Sequence, residues 1–151
     1  MRAAKTESVQ LTEAPDAVFQ AALGVVQNNK KSQVLAVHTG GRKLVVREKA
    51  LMSNPKFQYV WVDDSDGSTQ LRIAVGSDPR SSGALMDGKA NEKSLKAFVE
   101  GVRGALSGSA PAPASPVADH YLQKKTEVPW TDPEQDPDIE LDGNFKAMFA
   151  L

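Results

Sequence analysis

The sequence contains no cysteine, which excludes disulfides, thiolate nucleophiles and cysteine-built zinc sites. It has no apolar run near the roughly 18 residues that a membrane span needs. Its first residues also lack the apolar stretch of a secretion signal. No membrane partner is therefore expected, and a cytoplasmic location is the expectation. The chain has no large charge of either sign, the formal net charge being −1. Sequence-independent nucleic-acid binding rests on a large basic excess, so nucleic acid is not an expected partner. The nitrogen ligands for a metal are two histidines, His38 and His120. No metal set and no cofactor motif is legible.

What the chain does have is a charge split. Residues 1–106 carry 15 Lys/Arg against 11 Asp/Glu, a net of +4, whereas residues 107–151 carry 3 against 8, a net of −5. Between them lies a Pro/Ala/Ser bridge, residues 107–116, whose three prolines lack the N–H that a helix or central strand requires. The chain thus divides into a core domain over 1–106, a linker over 107–116, and an acidic C-terminal arm over 117–151.

Within the core, residues 4–11 fit a solvated edge strand. Pro15 and Asp16 then open a helix, where a missing N–H costs nothing and a carboxylate meets the positive dipole end. Val18, Phe19, Ala22, Val25 and Val26 give it one apolar stripe. After Ser32 the period falls from 3.6 to about 2. Strands are expected over 33–38, 43–50, 56–62 and 69–75, joined by a glycine turn at 39–42, a bend at Ser53-Asn54-Pro55 and an acidic turn at 63–67. A long loop over 76–88 comes next. Asn91 then caps a second helix, striped by Leu95, Phe98, Val99, Val102 and Leu106. In the arm, residues 117–123 are compatible with one helical turn or a strand, and Pro129, Pro133 and Pro137 break any regular element over 126–138.

The expected fold class is α+β: an antiparallel meander sheet of about five strands, two helices packed on one face, and an extended C-terminal arm. This β-α-β4-α order resembles that of the TATA-box-binding-protein-like and small helix-grip folds. The latter include the START and Bet v 1 type lipid-binding domains. The resemblance covers residues 4–106 at the level of element order, with no shared motif. It implies a fold, and through the helix-grip proteins a small apolar ligand held between helices and sheet. The chain supplies fewer strands and a shorter closing helix than such binders usually have, which argues against a spacious cavity.

With Phe57, Tyr59, Trp61, Leu71, Ile73 and Val75 turned to the helices, the free face of the sheet would carry Val45, Arg47, Lys49, Gln58, Val60, Val62, Arg72 and Ala74. Arg47, Lys49 and Arg72 make that face basic. The acidic arm complements it, with Tyr121, Trp130, Ile139, Leu141, Phe145, Met148 and Phe149 spaced as apolar anchors. The arm is expected to pack on the free face or edge, in its own molecule or in a second copy.

Other candidates have ordinary explanations beside functional ones. Asp63, Asp64 and Asp66 beside Gly67 suit a divalent cation, but they equally suit a tight turn. The run Asp138, Glu140, Asp142, Gly143 echoes half of a calcium loop, with Phe149 where the closing glutamate belongs. His38 and His120 have no nucleophile motif around them. Arg80, Leu85 and Met86 in the long loop are candidates for a ligand lid. Tyr59 and Trp61 could stack bases, although at strand spacing they suit a core. Taken together these residues read as non-enzymatic: a binding or protein-interaction module whose arm docks a protein partner or a second copy. The alternative is a carrier of a small apolar ligand.

Overall fold

A computed structural model describes residues 5–49, 56–65, 67–77, 87–108, 117–123, 125–135, 137 and 139. The chain runs β1 (Lys5–Leu11), α1 (Pro15–Gln27), β2 (Ser32–His38), β3 (Lys43–Glu48), β4 (Lys56–Ser65), β5 (Ser68–Ser77), α2 (Asp87–Leu106), β6 (His120–Gln123) and β7 (Thr126–Pro129). The strands form one antiparallel sheet in the order β1-β5-β4-β3-β2-β6-β7. The α+β class, the meander and the two helices stand as the sequence implies. The sheet has seven strands rather than about five, because part of the arm joins it.

Local chemistry sets the elements. α1 starts at Pro15 with no side-chain cap. It ends where Asn28 turns back on Gly24, both its backbone N (3.0 Å) and its Nδ2 (2.8 Å) donating to the Gly24 carbonyl. α2 begins at Asp87, four residues before the expected cap at Asn91, which lies inside the helix. An acid followed by Gly88, Lys89 and Ala90 is compatible with a first turn, and the apolar stripe alone cannot mark that boundary.

One face of the sheet carries the helices. Val18, Phe19, Ala22 and Leu23 of α1 and Leu95, Phe98 and Val102 of α2 bury themselves on Leu44, Val46, Val60, Val62, Leu71, Ile73 and Val75. Val18, Leu44, Val60, Leu71, Ile73, Val75 and Val102 have no exposed surface at all, so side chains fill the layer between them. Gln58, 2% exposed, also points to the helices, its Nε2 donating to Ser94 Oγ at 2.8 Å.

This placement reverses the expected facing of β4. Cross-strand partners share a face, and Trp61 pairs with Arg72, Tyr59 with Ala74 and Val62 with Leu71. Phe57, Tyr59 and Trp61 therefore point away from the helices, while Gln58, Val60 and Val62 point toward them. The cause is the β4–β5 turn. Ser65 pairs with Ser68, so the strands are joined by a tight connection with Gly67 at φ 76°. A slip of one residue in that register exchanges the two faces of a strand.

Candidate functional site

The outer face of the sheet starts from alternation along β3, β4 and β5. It carries Val45, Phe57, Tyr59 and Ala74 as a second buried cluster, separate from the one beneath the helices. β2 adds to it through a bulge between Val34 and Ala36, which lets Leu35 and Ala36 both face outward. Tyr59 and Trp61 lie together with ring centroids 4.6 Å apart and planes tilted by 32°. Beside them Arg72 Nε donates to Asp63 Oδ2 at 2.6 Å, balancing its charge within the sheet. Of the other basic residues proposed for this face, Arg47 is half-buried on β3 and Lys49 is exposed just beyond it.

The arm closes this face. β6 pairs with the β2 edge through Ala36 with Tyr121 and Val37 with His120, and β7 folds back on β6. Pro129 is the last residue of β7, an edge strand, where a missing N–H breaks no ladder. Trp130, 4% exposed, then joins the buried cluster of Leu35, Ala36, Val45, Phe57, Tyr59 and Ala74, against which Tyr121, Leu122 and Ile139 also pack. Its Nε1 donates to the carbonyls of Asp132 (2.8 Å) and Gln135 (3.1 Å), so residues 131–135 wrap around the indole that precedes them. The expected extended arm is thus a hairpin continued by a strap.

Polar contacts fix the strap to the β2–β3 turn. Asp119 Oδ1 accepts from Thr39 N (2.8 Å) and Thr39 Oγ1 (2.9 Å). His38 Nδ1 accepts from Gly41 N at 2.8 Å, which leaves Nε2 to donate to the Thr131 carbonyl at 3.4 Å. The tautomer that satisfies both partners carries its proton on Nε2. Its ring meets Trp130 edge-on, centroids 5.5 Å apart. Lys43 Nζ donates to the Pro133 carbonyl. His120 donates from Nδ1 to the Ala118 carbonyl at 2.7 Å. His38 therefore ties the arm to the β2–β3 turn, whereas the His120 side chain makes its bond within the arm.

Between the strap, the β2–β3 turn and the aromatic pair runs a groove of about 990 Å³. Tyr59 and Trp61 line it together with Arg42, Lys43, Arg72 and Pro133. Its three cations face three carboxylates, Asp63, Asp64 and Glu134, so it is an aromatic shelf with a charge-balanced rim. Arg42 is additionally tied to Asp16 of α1 by a 2.8 Å bond from its Nε.

Of the anchors read from the sequence, Tyr121, Trp130 and Ile139 meet on the outer face. Leu141, Phe145, Met148 and Phe149 lie outside the described residues, as do Arg80, Leu85 and Met86 of the candidate lid. So do Asp66, Asp138, Glu140 and Asp142 of the acidic candidates. Among the described residues no group of three or more His, Asp or Glu is placed to hold a metal ion, and no helix is long and apolar enough to cross a membrane. Sequence reasoning missed Thr39, Gly41, Asp119 and Pro133. The nearest available signal was the glycine pair at 40–41, read as conformational freedom when Gly41 in fact provides space.

No protein-family model matches the chain, and no curated protein matches it. Solved structures do. The crystal structure of Ara h 8.0201 is 7% identical, with a TM-score of 0.54 over 70% of this chain and 97% of that one. ZhuI aromatase/cyclase from Streptomyces sp. R1128 is 16% identical over 70% of this chain and 88% of that one, at a TM-score of 0.39. The likeness to Ara h 8.0201 indicates a helix-grip α+β fold. It lends no support to the TATA-box-binding-protein-like alternative.

Proposed function

We propose that the protein is a non-enzymatic binding module that takes a small, largely apolar ligand with an aromatic or planar part into the outer-face groove. The observation that carries this reading is the stacked Tyr59–Trp61 shelf in an open space of about 990 Å³, within the size range of small-molecule sites. Trp61 is only partly buried there, so its ring presents apolar area to an incoming molecule. The balanced rim favours a ligand whose polar groups are neutral or zwitterionic over a strongly charged one. The interface of the helices with the centre of the sheet, filled by side chains of zero exposure, supports the groove over that layer as the ligand's place. A non-enzymatic role fits His38, whose ring nitrogens are engaged by Gly41 N and the Thr131 carbonyl, and His120, whose Nδ1 is engaged by the Ala118 carbonyl.

Titration with the uncharged apolar dye N-phenyl-1-naphthylamine tests the reading. Wild type should bind it saturably, Trp61→Ala at least tenfold more weakly, and Ser94→Ala, altered on the opposite face, as wild type does. Equal binding by Trp61→Ala and wild type would refute the groove as the site.

A further inference from the structure

We infer that the site occupied by the arm is exchangeable between molecules, and that its second occupant is the arm of another copy of this chain. The core sheet pairs β1 with β5, β5 with β4, β4 with β3 and β3 with β2 without any help from the arm. The arm is a unit of its own, β6 pairing with β7 over four residue pairs but with β2 over only two. Among the described residues, the other contacts that seat it include anchors of the kind that holds a bound peptide. Asp119 is on Thr39, Trp130 is in the outer cluster, Thr131 is on His38, and Pro133 is on Gly41 and Lys43.

Each copy carries one such arm and one such site, so an arm from any copy makes the same contacts. The preference for its own molecule rests on the tether, residues 107–116. A short tether confers an effective concentration of about millimolar. Since the arm is seated in its own molecule, its dissociation constant as a separate molecule lies below about that value. Exchange therefore becomes visible when a copy's own arm cannot seat. The exchanged arm would also bring Pro133 and Glu134 to the partner's groove, so each groove would be completed by the other molecule.

Two full-length variants separate arm from site. Trp130→Ala spoils the arm and leaves the site intact. Gly41→Ala spoils the site, because its new Cβ would lie 2.4 Å from Pro133 Cβ, and leaves the arm intact. Each alone should be a monomer by light scattering, and their mixture at concentrations up to about millimolar should give a 1:1 heterodimer. Two monomers that keep wild-type circular dichroism and form no heterodimer would overturn the inference. As a second measurement, a fluorescein-labelled peptide of residues 117–139 should bind full-length Trp130→Ala at least tenfold more tightly than wild type, whose own arm competes. Asp119→Ala replaces Trp130→Ala if the latter does not fold. Equal or undetectable peptide binding by variant and wild type would likewise overturn it.

Discussion

Gly41 and Pro133 meet so closely that a β-carbon on Gly41 would sit 2.4 Å from Pro133 Cβ and 3.3 Å from His38 Nδ1. The glycine is required by the arm and not by the turn: the residue of positive φ in that turn is Arg42, at 53°. A loop residue on β2–β3 and a proline some ninety positions later thus specify one another.

Gly41→Ala should accordingly destabilise the seated arm by about 1–3 kcal/mol, the usual penalty of overpacking. Gly40→Ala should be nearly neutral, since its β-carbon would approach only to 3.4 Å from His38 Cε1. Chemical denaturation of the two variants side by side checks this. Equal effects would show that the close approach carries no energy.

Asp119 accepts two bonds from one residue, Thr39. Asp119→Ala should cost about 1.5–3 kcal/mol, the range for a hydrogen bond to a charged group. A double-mutant cycle with Thr39→Val should return a positive coupling energy, smaller than the whole effect because the Thr39 backbone N–H remains. Zero coupling would place the stabilisation elsewhere.

Trp130→Ala removes the largest side chain the arm buries, and such truncations cost about 3–5 kcal/mol. Because the arm adds to a sheet already paired, the loss should appear locally. Amide hydrogen exchange in β6 should accelerate on the order of 100- to 1,000-fold while amides of β4 keep their protection. Uniform acceleration across the sheet would mean that arm and core unfold together.

On the opposite face, Gln58 Nε2 donates to Ser94 Oγ, which donates in turn to Glu48 Oε1 at 3.2 Å. Ser94→Ala leaves the Gln58 amide without that acceptor and should cost about 1–3 kcal/mol. Gln58→Leu combined with Ser94→Ala should recover much of it, since the pair is then replaced by apolar groups in an apolar layer. Thermal unfolding of single and double variants measures both.

The periodicities of α1 and α2 were legible because each apolar stripe faces one way, and the four meander strands because the period falls to about 2. The facing of β4 was not, since large apolar side chains occur at both parities, Phe57, Tyr59 and Trp61 on one and Val60 and Val62 on the other. The deciding signal was the Asp66-Gly67 dipeptide, a sequence mark of a tight hairpin, in which Val62 lies opposite Leu71. Reading a longer turn at 63–67 lost that register and with it the facing of the aromatics.

The arm's meeting with the sheet was legible in Trp130; its charge was not the signal, since Arg72 pairs with Asp63 of its own sheet and Asp119 is bound by the uncharged Thr39. The arm's form was not legible, because Pro129 and Pro133 argue against strands, while an edge strand tolerates a proline at its end. Asp119, Thr39 and Gly41 could not be found from sequence, since their meaning comes from a long-range contact that no local pattern encodes.

Placement of the ligand on the outer face is tested most directly by nuclear magnetic resonance with N-phenyl-1-naphthylamine. The predicted result is a set of shifts confined to the Trp61 indole N–H and the backbone amides of Gly41, Lys43 and Arg72. Shifts centred instead on Phe19, Phe98 and Val102 would put the ligand between helices and sheet and contradict an outer-face site.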